Sequence, residues 1–301
     1  MAARRGAARA AQFDMTGNMS KLRALLILGR VSNLPTVWSN CLAGWLLGGG
    51  GEWGRFAVLC LGATLLYIGG MFLNDAFDAG FDREHRPERP IPSGAISEQE
   101  AWLWGFFWLT SGTIILVCLG KSGAFLALLL ACCILLYDAV HKRTSLAPLI
   151  MAGCRLLLYL VSAAVAVYGL SGLAVWSGVV MAGYIAGLSY IARTESVPGP
   201  LRYWPCLLLA APLVLALIVN DGSYLTETAP LMAALVVWTV WSLGDILWKP
   251  VKTPGRAVAG LLAGIVWVDM LALGGEAGLF MAAFAGLFVA ARFFQRFIPA
   301  T

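Results

Sequence analysis

Apolar runs fill most of this chain, and short polar or glycine- and proline-containing stretches separate them. Each run has roughly the length that a helix needs to cross a bilayer. Ten such runs can be marked, near 33–50, 56–74, 101–119, 123–139, 147–170, 173–192, 204–219, 230–248, 257–273 and 277–297. They mix Gly, Ala, Leu and Trp without the alternation of a transmembrane strand. The pattern therefore predicts an all-α fold, a polytopic bundle of transmembrane helices whose small residues allow close packing.

The composition indicates that the whole chain is embedded in a membrane. Hydrophobic residues make up 60% of it and charged residues 12%, which lies outside the range of soluble domains. The seven cysteines lack the paired spacing of a zinc site or a disulfide framework, and we interpret them as packing residues. The stretch 1–19 is rich in Ala and Arg but lacks the order of a targeting peptide. We expect a flexible basic tail over 1–19 and a single transmembrane domain over 20–301.

The basic residues are unevenly distributed over the connections between the runs. With ten crossings, one face carries Arg4, Arg5, Arg9, Lys21, Arg23, Arg30, Arg83, Arg86, Arg89, Lys142, Arg143, Arg193, Arg202, Lys249, Lys252, Arg256, Arg292 and Arg296. The basic residues of the other face are Arg55 and Lys121. The positive-inside rule places the first face and the N-terminus in the cytoplasm, and we expect a protein of the cell inner membrane. This bias accounts for the net charge of +5, so the charge gives no reason to expect a nucleic-acid partner.

Four polar side chains close the second apolar run, where charge is expensive to keep. They are Asn74, Asp75, Asp78 and Asp82. On an α-helix these positions fall within an arc of about 100°. Carboxylates that close repel one another unless a hard cation lies between them, and Mg²⁺ binds a few carboxylates together with substrate phosphates. The spacing predicts a site for a Mg²⁺-bridged diphosphate; the alternative is a solvated acidic helix end paired with the arginines that follow.

Further polar residues interrupt the apolar background. Lys142 and Arg143 end the fourth run, where they could grip phosphate oxygens or simply anchor the helix at the interface. His141 beside them is interpreted as a loop residue. Arg155 lies about eight residues into the fifth run, and an arginine at that depth faces a polar cavity, a carboxylate or an anionic ligand, unless it snorkels to the interface. Its partner could be either of two acids in later runs, Asp245 and Asp269.

Several segments together resemble the UbiA superfamily of intramembrane prenyltransferases. Asn-Asp-x-x-Asp-x-x-x-Asp-Arg at 74–83, followed by Arg-Pro-Ile-Pro-Ser-Gly at 89–94, resembles the first Asp-rich motif of that family. The segment 30–36 resembles its opening helix. Tyr-Asp-x-x-His-Lys-Arg-Thr-x-x-x-Pro at 137–148 resembles its Lys-Arg-Thr segment. The resemblance extends over the first six runs.

The resemblance implies a bundle around a large central cavity, open laterally to membrane lipid and capped on the cytoplasmic side. It implies Mg²⁺-dependent transfer of an isoprenoid from a prenyl diphosphate to an aromatic or other small acceptor. The implied metal ligands are Asn74, Asp75, Asp78 and Asp82. The implied catalytic residues are Asp75, Asp78, Asp82, Lys142 and Arg143, the last two stabilising the leaving diphosphate. The expected substrate-binding residues are Asn33, Asn74, Arg89, Tyr137, Asp138, Arg155, Tyr190, Arg193 and Glu195.

The chain departs from the family pattern where a second Asp-rich motif is expected, near 187–196. That stretch offers Ser189, Arg193, Thr194 and Glu195 in place of aspartates. Glu195 could support a weaker metal site, or Arg193 could replace the charge of the second ion. The ten runs exceed the nine helices usual in the family, and an added C-terminal helix would explain the difference.

Two functions from different classes follow. The first is a prenyltransferase acting within the membrane. The second is a non-catalytic relative that binds or carries a lipid or secondary-metabolite precursor in the same cavity, which the altered second motif would favour. The altered motif and the pair Cys154 and Arg155 also resemble the divergent Ebo-type branch. An ion-coupled transporter fits less well, because no paired broken helices indicate inverted repeats.

Overall fold

The computed structural model describes residues 20–193, 203–219, 222–249, 253–274 and 277–300. These residues form twelve α-helices and two short 3-10 helices, Val31–Asn33 and Trp204–Ala210, and contain no strand. The helices are α1 Lys21–Leu28, α2 Leu34–Leu47, α3 Trp53–Phe77, α4 Ala79–His85, α5 Glu98–Cys118, α6 Lys121–Val140, α7 Ala147–Ala164, α8 Gly172–Arg193, α9 Ala211–Val219, α10 Gly222–Leu247, α11 Pro254–Leu273 and α12 Ala277–Phe294. The predicted all-α class is confirmed.

Seven of the described helices are long and apolar enough to cross a bilayer: α3, α5, α6, α7, α8, α11 and the part of α10 at Leu225–Leu247. Two apolar helical stretches, Trp204–Val219 and Phe280–Phe294, are shorter, and α2 has 14 residues. Each of the ten predicted runs contains a helical segment, and the chain is a multi-pass membrane protein. How many of the ten runs cross completely stays a prediction.

Glycines allow α3 and α5 to pack closely against each other. A Cβ on Gly69 would lie 2.4 Å from the backbone nitrogen of Leu109, and a Cβ on Gly112 would lie 2.5 Å from that of Leu66. Neither position can carry a side chain unless the two backbones separate. This close packing brings the end of α3 and the loop before α5 together, and the polar site is built there.

The bundle has an inside and a lipid-facing outside. In α11, 72% of the spanning window is buried, against 22% in α6. Large apolar side chains such as Leu103 and Phe125 are exposed on the outer helices, as expected for residues that face hydrocarbon. The short helix α2 is buried over most of its length and packs against both α7 and α11. Helices α2, α7 and α11 therefore form the interior beside which the site lies.

Candidate active site

The four-residue acidic motif lies across a break between two helices. Helix α3 ends at Phe77 and α4 begins at Ala79, with Asp78 between them in the right-handed α region (φ −85°, ψ −7°). Asn74, Asp75, Asp78 and Asp82 are all buried. The break is confined to Asp78, because its N–H still donates to the Asn74 carbonyl over 3.0 Å and the Asp82 N–H donates to the Asp78 carbonyl over 2.9 Å, so the four positions keep their helical spacing.

Two arginines neutralise one half of the motif. Arg89 Nη1 lies 2.9 Å from Asp82 Oδ2 and 3.4 Å from Asp75 Oδ1. Arg30 Nη2 lies 3.4 Å from both Asp75 Oδ1 and Asn74 Oδ1. Arg30 has a positive φ of 41°, a strained conformation for a residue with a side chain. This strained turn before the 3-10 helix Val31–Asn33 directs a cation to the motif.

The Lys-Arg-Thr segment neutralises the other half. Lys142 Nζ lies 2.9 Å from Asp78 Oδ1, and His141 Nε2 lies 3.3 Å from the same carboxylate. Lys142 also lies over the ring of Phe81, 3.6 Å from its centroid, which adds a cation–π attraction. Burial alone would raise the pKa of Asp78, but the hydrogen bonds and charges of His141 and Lys142 hold that pKa below its usual value. Asp78 is therefore a carboxylate at neutral pH.

Asp138 ties the motif to α6. Asn74 donates a hydrogen bond from Nδ2 to Asp138 Oδ1 over 3.0 Å, and both side chains are buried. Tyr137 stacks on His141 with ring centroids 5.1 Å apart. The hydrogen bond joins the end of α3 to the end of α6, and the stacking holds His141 beside the Lys-Arg-Thr segment that follows α6.

The donor set fits Mg²⁺. Every group that the motif offers is a carboxylate or carboxamide oxygen, the kind of ligand that Mg²⁺ prefers. Asp82 Oδ1 and Asp138 Oδ2 are buried and have no hydrogen-bond partner among the described residues. Within that part of the chain no three acidic, histidine or cysteine side chains converge on one point. Such a set suits an ion held by one or two carboxylates together with substrate phosphates and water.

A cavity of about 490 Å³ opens beside the motif. Its polar wall includes Arg30, Asn74, Asp78, Arg89, Lys142 and Arg193. Its apolar wall includes Val37, Leu66, Leu130, Ile134, Leu158 and Ile185. One part of the cavity therefore suits a diphosphate and the rest suits a hydrocarbon chain. Its lateral opening to lipid stays a prediction.

The structure brings most, but not all, of the predicted residues to the cavity. Asn33, Tyr137, Asp138 and Arg155 line it as well. Arg193 lines it and donates from Nη1 to the Thr144 carbonyl over 2.8 Å. Asp75 and Asp82 do not line it, although Arg89, which does, contacts both. Tyr190 does not line it either; its hydroxyl is 3.4 Å from the Ser145 carbonyl. Arg143 is exposed and also lies outside the cavity wall, because the turn after α6 directs Lys142 and not its neighbour inward. Glu195 and Thr194 lie outside the described residues.

Arg155 has a different set of partners from those expected. Its Nη1 donates to Asn40 Oδ1 over 2.6 Å and to the Thr36 carbonyl over 3.1 Å, and its Nη2 donates to Thr36 Oγ1 over 3.0 Å. Asn40 Nδ2 donates in turn to Asp269, 2.9 and 3.0 Å from its two oxygens. Asp245 pairs instead with Lys249 and Arg256. Arg155 therefore lines a polar cavity, the first of the surroundings considered for it, and neither acid forms a direct ion pair with it.

Sequence reasoning missed three contributors: Arg30, Asn40 and His141. The signal for Arg30 was present, since it opens the segment that resembles the family's first helix. His141 was assigned to the loop, although it lies four residues after Tyr137 at the same helix end as Lys142. Asn40 gave no signal, because a single carboxamide in an apolar run is also compatible with helix packing.

The fold and the site define a multi-pass helical membrane protein in which an acidic, oxygen-donor motif, balanced by basic side chains, lies at an apolar cavity. The chain belongs to the UbiA prenyltransferase family, whose model matches residues 33–199.

Comparisons with individual proteins agree with this assignment. A digeranylgeranylglyceryl phosphate synthase of Methanoregula boonei is 38% identical over 91 residues, 30% of this chain and 33% of the relative. One of Ignicoccus hospitalis is 33% identical over 126 residues, 42% of this chain and 41% of the relative. The chain thus aligns with less than half the length of these curated relatives.

Solved structures show the same fold. A UbiA homolog from Archaeoglobus fulgidus bound to GPP and Mg²⁺ superposes with a TM-score of 0.62 at 12% identity, covering 89% of this chain and 99% of the other. A structure of digeranylgeranylglyceryl phosphate synthase superposes with a TM-score of 0.56 at 18% identity, covering 90% and 98%. The likeness to the Ebo-type branch stays a prediction.

Proposed function

We propose that this protein is a Mg²⁺-dependent prenyltransferase that moves an isoprenoid from its diphosphate to an acceptor inside the membrane. One observation carries the proposal. Buried carboxylates of the Asp-rich motif, each matched by a basic side chain, lie beside a cavity whose remaining wall is apolar. Charged side chains in a membrane protein carry a high free-energy cost, and they therefore indicate a functional site. The known ligands of a family neighbour, GPP and Mg²⁺, support the assignment.

The basic side chains bind and stabilise the leaving group. Lys142 and Arg89 are fixed by Asp78 and Asp82, so they present positive charge to phosphate oxygens without reorganising during the reaction. Arg30 adds a third fixed cation beside Asp75. Mg²⁺, when bound by oxygens of Asn74, Asp75, Asp78 and Asp82, supplies further charge neutralisation for the departing diphosphate. The motif therefore lowers the cost of breaking the bond between the prenyl C1 and its bridging oxygen.

The apolar wall controls what happens to the prenyl group. Leu66, Leu130 and Ile134 line the same cavity as the polar side chains, so an allylic carbon that develops positive charge there is shielded from water. A nucleophilic atom of the acceptor forms the new bond to C1 and loses its proton. The products are the prenylated acceptor, pyrophosphate and one proton.

We propose that the acceptor is a lipid and not an aromatic compound. The curated relatives are named for the synthesis of digeranylgeranylglyceryl phosphate, and this supports a lipid-type acceptor that carries a glyceryl phosphate. An aromatic acceptor, expected from the family resemblance, has no such support. We further propose that residues 20–301 form one domain of the cell inner membrane, with the Asp-rich motif on the cytoplasmic side.

A second candidate is a carrier that binds the prenyl diphosphate or a related precursor without transferring it. It is favoured by the stretch 187–196, which contains Glu195 but no aspartate where the family pattern places a second Asp-rich motif. Arg193, a basic residue of this stretch, lines the cavity. A fixed guanidinium could serve binding in the absence of a second ion.

Pyrophosphate release by purified protein in nanodiscs distinguishes the two. The assay contains Mg²⁺, geranyl or geranylgeranyl diphosphate, and either geranylgeranylglyceryl phosphate or 4-hydroxybenzoate. We expect release in the wild type, a loss of about 100-fold or more in Asp78→Asn, and no loss in Asp245→Asn, an acid that lies outside the cavity and pairs with Lys249 and Arg256. No release by the wild type, with diphosphate binding that Asp78→Asn abolishes, would establish the carrier instead.

A further inference from the structure

Arg155 is a cation in the cavity wall that the diphosphate chemistry does not use. It lies on α7, eight residues beyond Ala147, which is about 12 Å along the helix axis. The residues on the same face, Met151 and Leu158, line the cavity with it. The cations at the polar end, such as Lys142, come from the segment just before α7. Arg155 therefore lies deeper along the cavity wall than the cations that face the diphosphate.

Arg155 also differs from those cations in how its charge is balanced. Arg89 and Lys142 each contact an aspartate of the motif, whereas Arg155 contacts no carboxylate among the described residues. The nearest acid in its network is Asp269, reached only through the side chain of Asn40. An arginine that is 9% exposed and has no direct counter-ion is costly in a membrane interior.

The guanidinium is held in place but not saturated. Its Nη atoms donate three hydrogen bonds, to Asn40 and to the hydroxyl and carbonyl of Thr36. An arginine has five N–H groups, so two of them have no acceptor within the described part of the chain. Thr36 Oγ1 is itself fixed by its bond to the Asn33 carbonyl over 2.8 Å. The surroundings therefore hold the group rigidly from one side and leave donors for a ligand.

We propose that Arg155 recognises an anionic group, a phosphate or a carboxylate, on the acceptor substrate. This inference rests on the proposed transferase function, since it assigns the second substrate of that same cavity. The nucleophilic atom of the acceptor must reach the prenyl C1 beside the diphosphate, so its anionic group lies further along the cavity. Arg155 is at that depth, and Thr36 and Asn40 are positioning residues that aim it.

A purely structural role for Arg155 is the competing explanation. Its bonds to α2 join α2 to α7, and α2 in turn is joined to α11 by the Asn40–Asp269 contact. Helix association in a membrane, however, needs only small residues and neutral hydrogen bonds. A charged group that lines a cavity and keeps unused donors is better explained by an anionic ligand.

Binding of matched probes tests the proposal without requiring turnover. The anionic probes are geranylgeranylglyceryl phosphate and 4-hydroxybenzoate; their uncharged counterparts are geranylgeranylglycerol and 4-hydroxybenzyl alcohol. Dissociation constants are measured in nanodiscs for the wild type, Arg155→Gln, Arg155→Lys and Arg292→Gln. Arg292 is a half-buried arginine outside this cavity that donates to Gln295, so it serves as the matched control.

We expect the wild type and Arg292→Gln to prefer an anionic probe over its uncharged counterpart. Arg155→Gln should weaken binding of that probe by about 10- to 100-fold, as for loss of charged hydrogen bonds, and leave the uncharged counterpart unaffected. Arg155→Lys should retain part of the preference, because it keeps the charge but not the planar fork. The responding probe distinguishes a phosphate from a carboxylate.

Substitutions of Thr36 test whether this residue positions Arg155. Their expected effect on KM is selective for one substrate, which a general loss of folding would not be. Thr36→Val removes the hydroxyl that Arg155 contacts, and should raise KM for the anionic acceptor about 10-fold while leaving KM for the prenyl diphosphate unchanged. Thr36→Ser keeps the hydroxyl and should restore the wild-type value. Binding of geranylgeranyl diphosphate, measured in every variant, confirms that the cavity is intact.

Equal binding of charged and uncharged probes by the wild type, or no binding of either anionic probe, would overturn the proposal. So would an anion preference that Arg155→Gln retains. Those results leave the transferase function untouched if pyrophosphate is still released. Arg155-dependent binding of an anionic probe without any pyrophosphate release would overturn its assignment to an acceptor substrate and would support anion binding by the carrier instead.

Discussion

The side-chain amide of Asn74 donates a hydrogen bond to the carboxylate of Asp138 over 3.0 Å, and this bond joins the first residue of the Asp-rich motif on α3 to the last turn of α6. Both side chains are buried. Because Lys142 follows directly after α6, the bond also sets the distance between the acidic motif and the cation on Asp78. This carboxamide–carboxylate contact therefore positions the acidic motif against the end of α6, together with the contacts of His141 and Lys142 with Asp78.

Removing the acceptor of this bond should lower both stability and ligand affinity. Asp138→Leu leaves the buried Asn74 amide without a partner, which costs about 1–3 kcal/mol of unfolding free energy, and should weaken binding of geranyl diphosphate. Asp138→Asn keeps an oxygen for the same bond and should remain close to wild type in melting temperature. Thermal unfolding in detergent and diphosphate binding check both variants. Equal melting temperatures for Asp138→Leu and Asp138→Asn would contradict the role of this bond.

Arg89 should stabilise the acidic motif when Mg²⁺ is absent, and added Mg²⁺ should compensate for the loss of Arg89. Arg89 lies between Asp75 and Asp82, so Arg89→Gln leaves two buried carboxylates without this shared cation. We expect a lower melting temperature in EDTA, by the equivalent of about 2 kcal/mol or more, and a difference from wild type that shrinks when Mg²⁺ is added. Arg83→Gln is the control, since Arg83 pairs with Glu98 at the surface and exposed pairs contribute about 0–1 kcal/mol.

A melting temperature of Arg89→Gln that responds to Mg²⁺ no more than that of the wild type would argue against a metal at this motif. Ca²⁺ offers a further comparison. It takes more ligands at longer distances than Mg²⁺, so it should restore stability through charge without supporting pyrophosphate release.

The all-α fold could be predicted because apolar runs of the length of a bilayer are a direct signal of transmembrane helices. The acidic motif was predictable because three carboxylates at the end of an apolar run have few alternatives to a ligand site. Asp78 and Lys142 were both assigned to the diphosphate, and in the structure they are in contact. The spacing of the motifs was enough to predict this contact. The residues lie at the ends of α3 and α6, and the order of the helices along the chain places both ends on the same side of the bundle.

The partners of Arg155 could not be predicted, because they come from helices distant in the chain. Asn40 and Asp269 are 229 residues apart, and only the packing of α2 against α11 brings them together. The inward direction of Lys142 and the outward direction of Arg143 likewise depend on the turn after α6. The conformation of this turn determines which of the two adjacent basic side chains reaches the cavity. The composition of the chain gives no information about that conformation.

Lys142 and Arg143 should therefore differ sharply in function. Lys142→Ala removes the cation 2.9 Å from Asp78 and should weaken binding of geranyl diphosphate by about 10-fold or more. Arg143→Ala changes an exposed side chain outside the cavity wall and should leave that affinity within about twofold. Binding of a non-cleavable thiolodiphosphate analogue measures the two variants separately from catalysis. A larger effect from Arg143→Ala would show that the turn after α6 is rotated relative to this structure.

The contact between α3 and α5 should tolerate no side chain at its glycines. A Cβ on Gly112 would lie 2.5 Å from the Leu66 nitrogen, so Gly112→Ala must force the two helices apart. We expect a loss of about 1–3 kcal/mol from overpacking, seen as a lower melting temperature, and weaker diphosphate binding because the end of α3 moves. Gly286→Ala is the matched control in α12, where a Cβ meets nothing within 4 Å; higher helix propensity should leave it neutral or slightly stabilised. If both substitutions had the same effect, backbone flexibility and not close helix approach would explain why glycine occupies position 112.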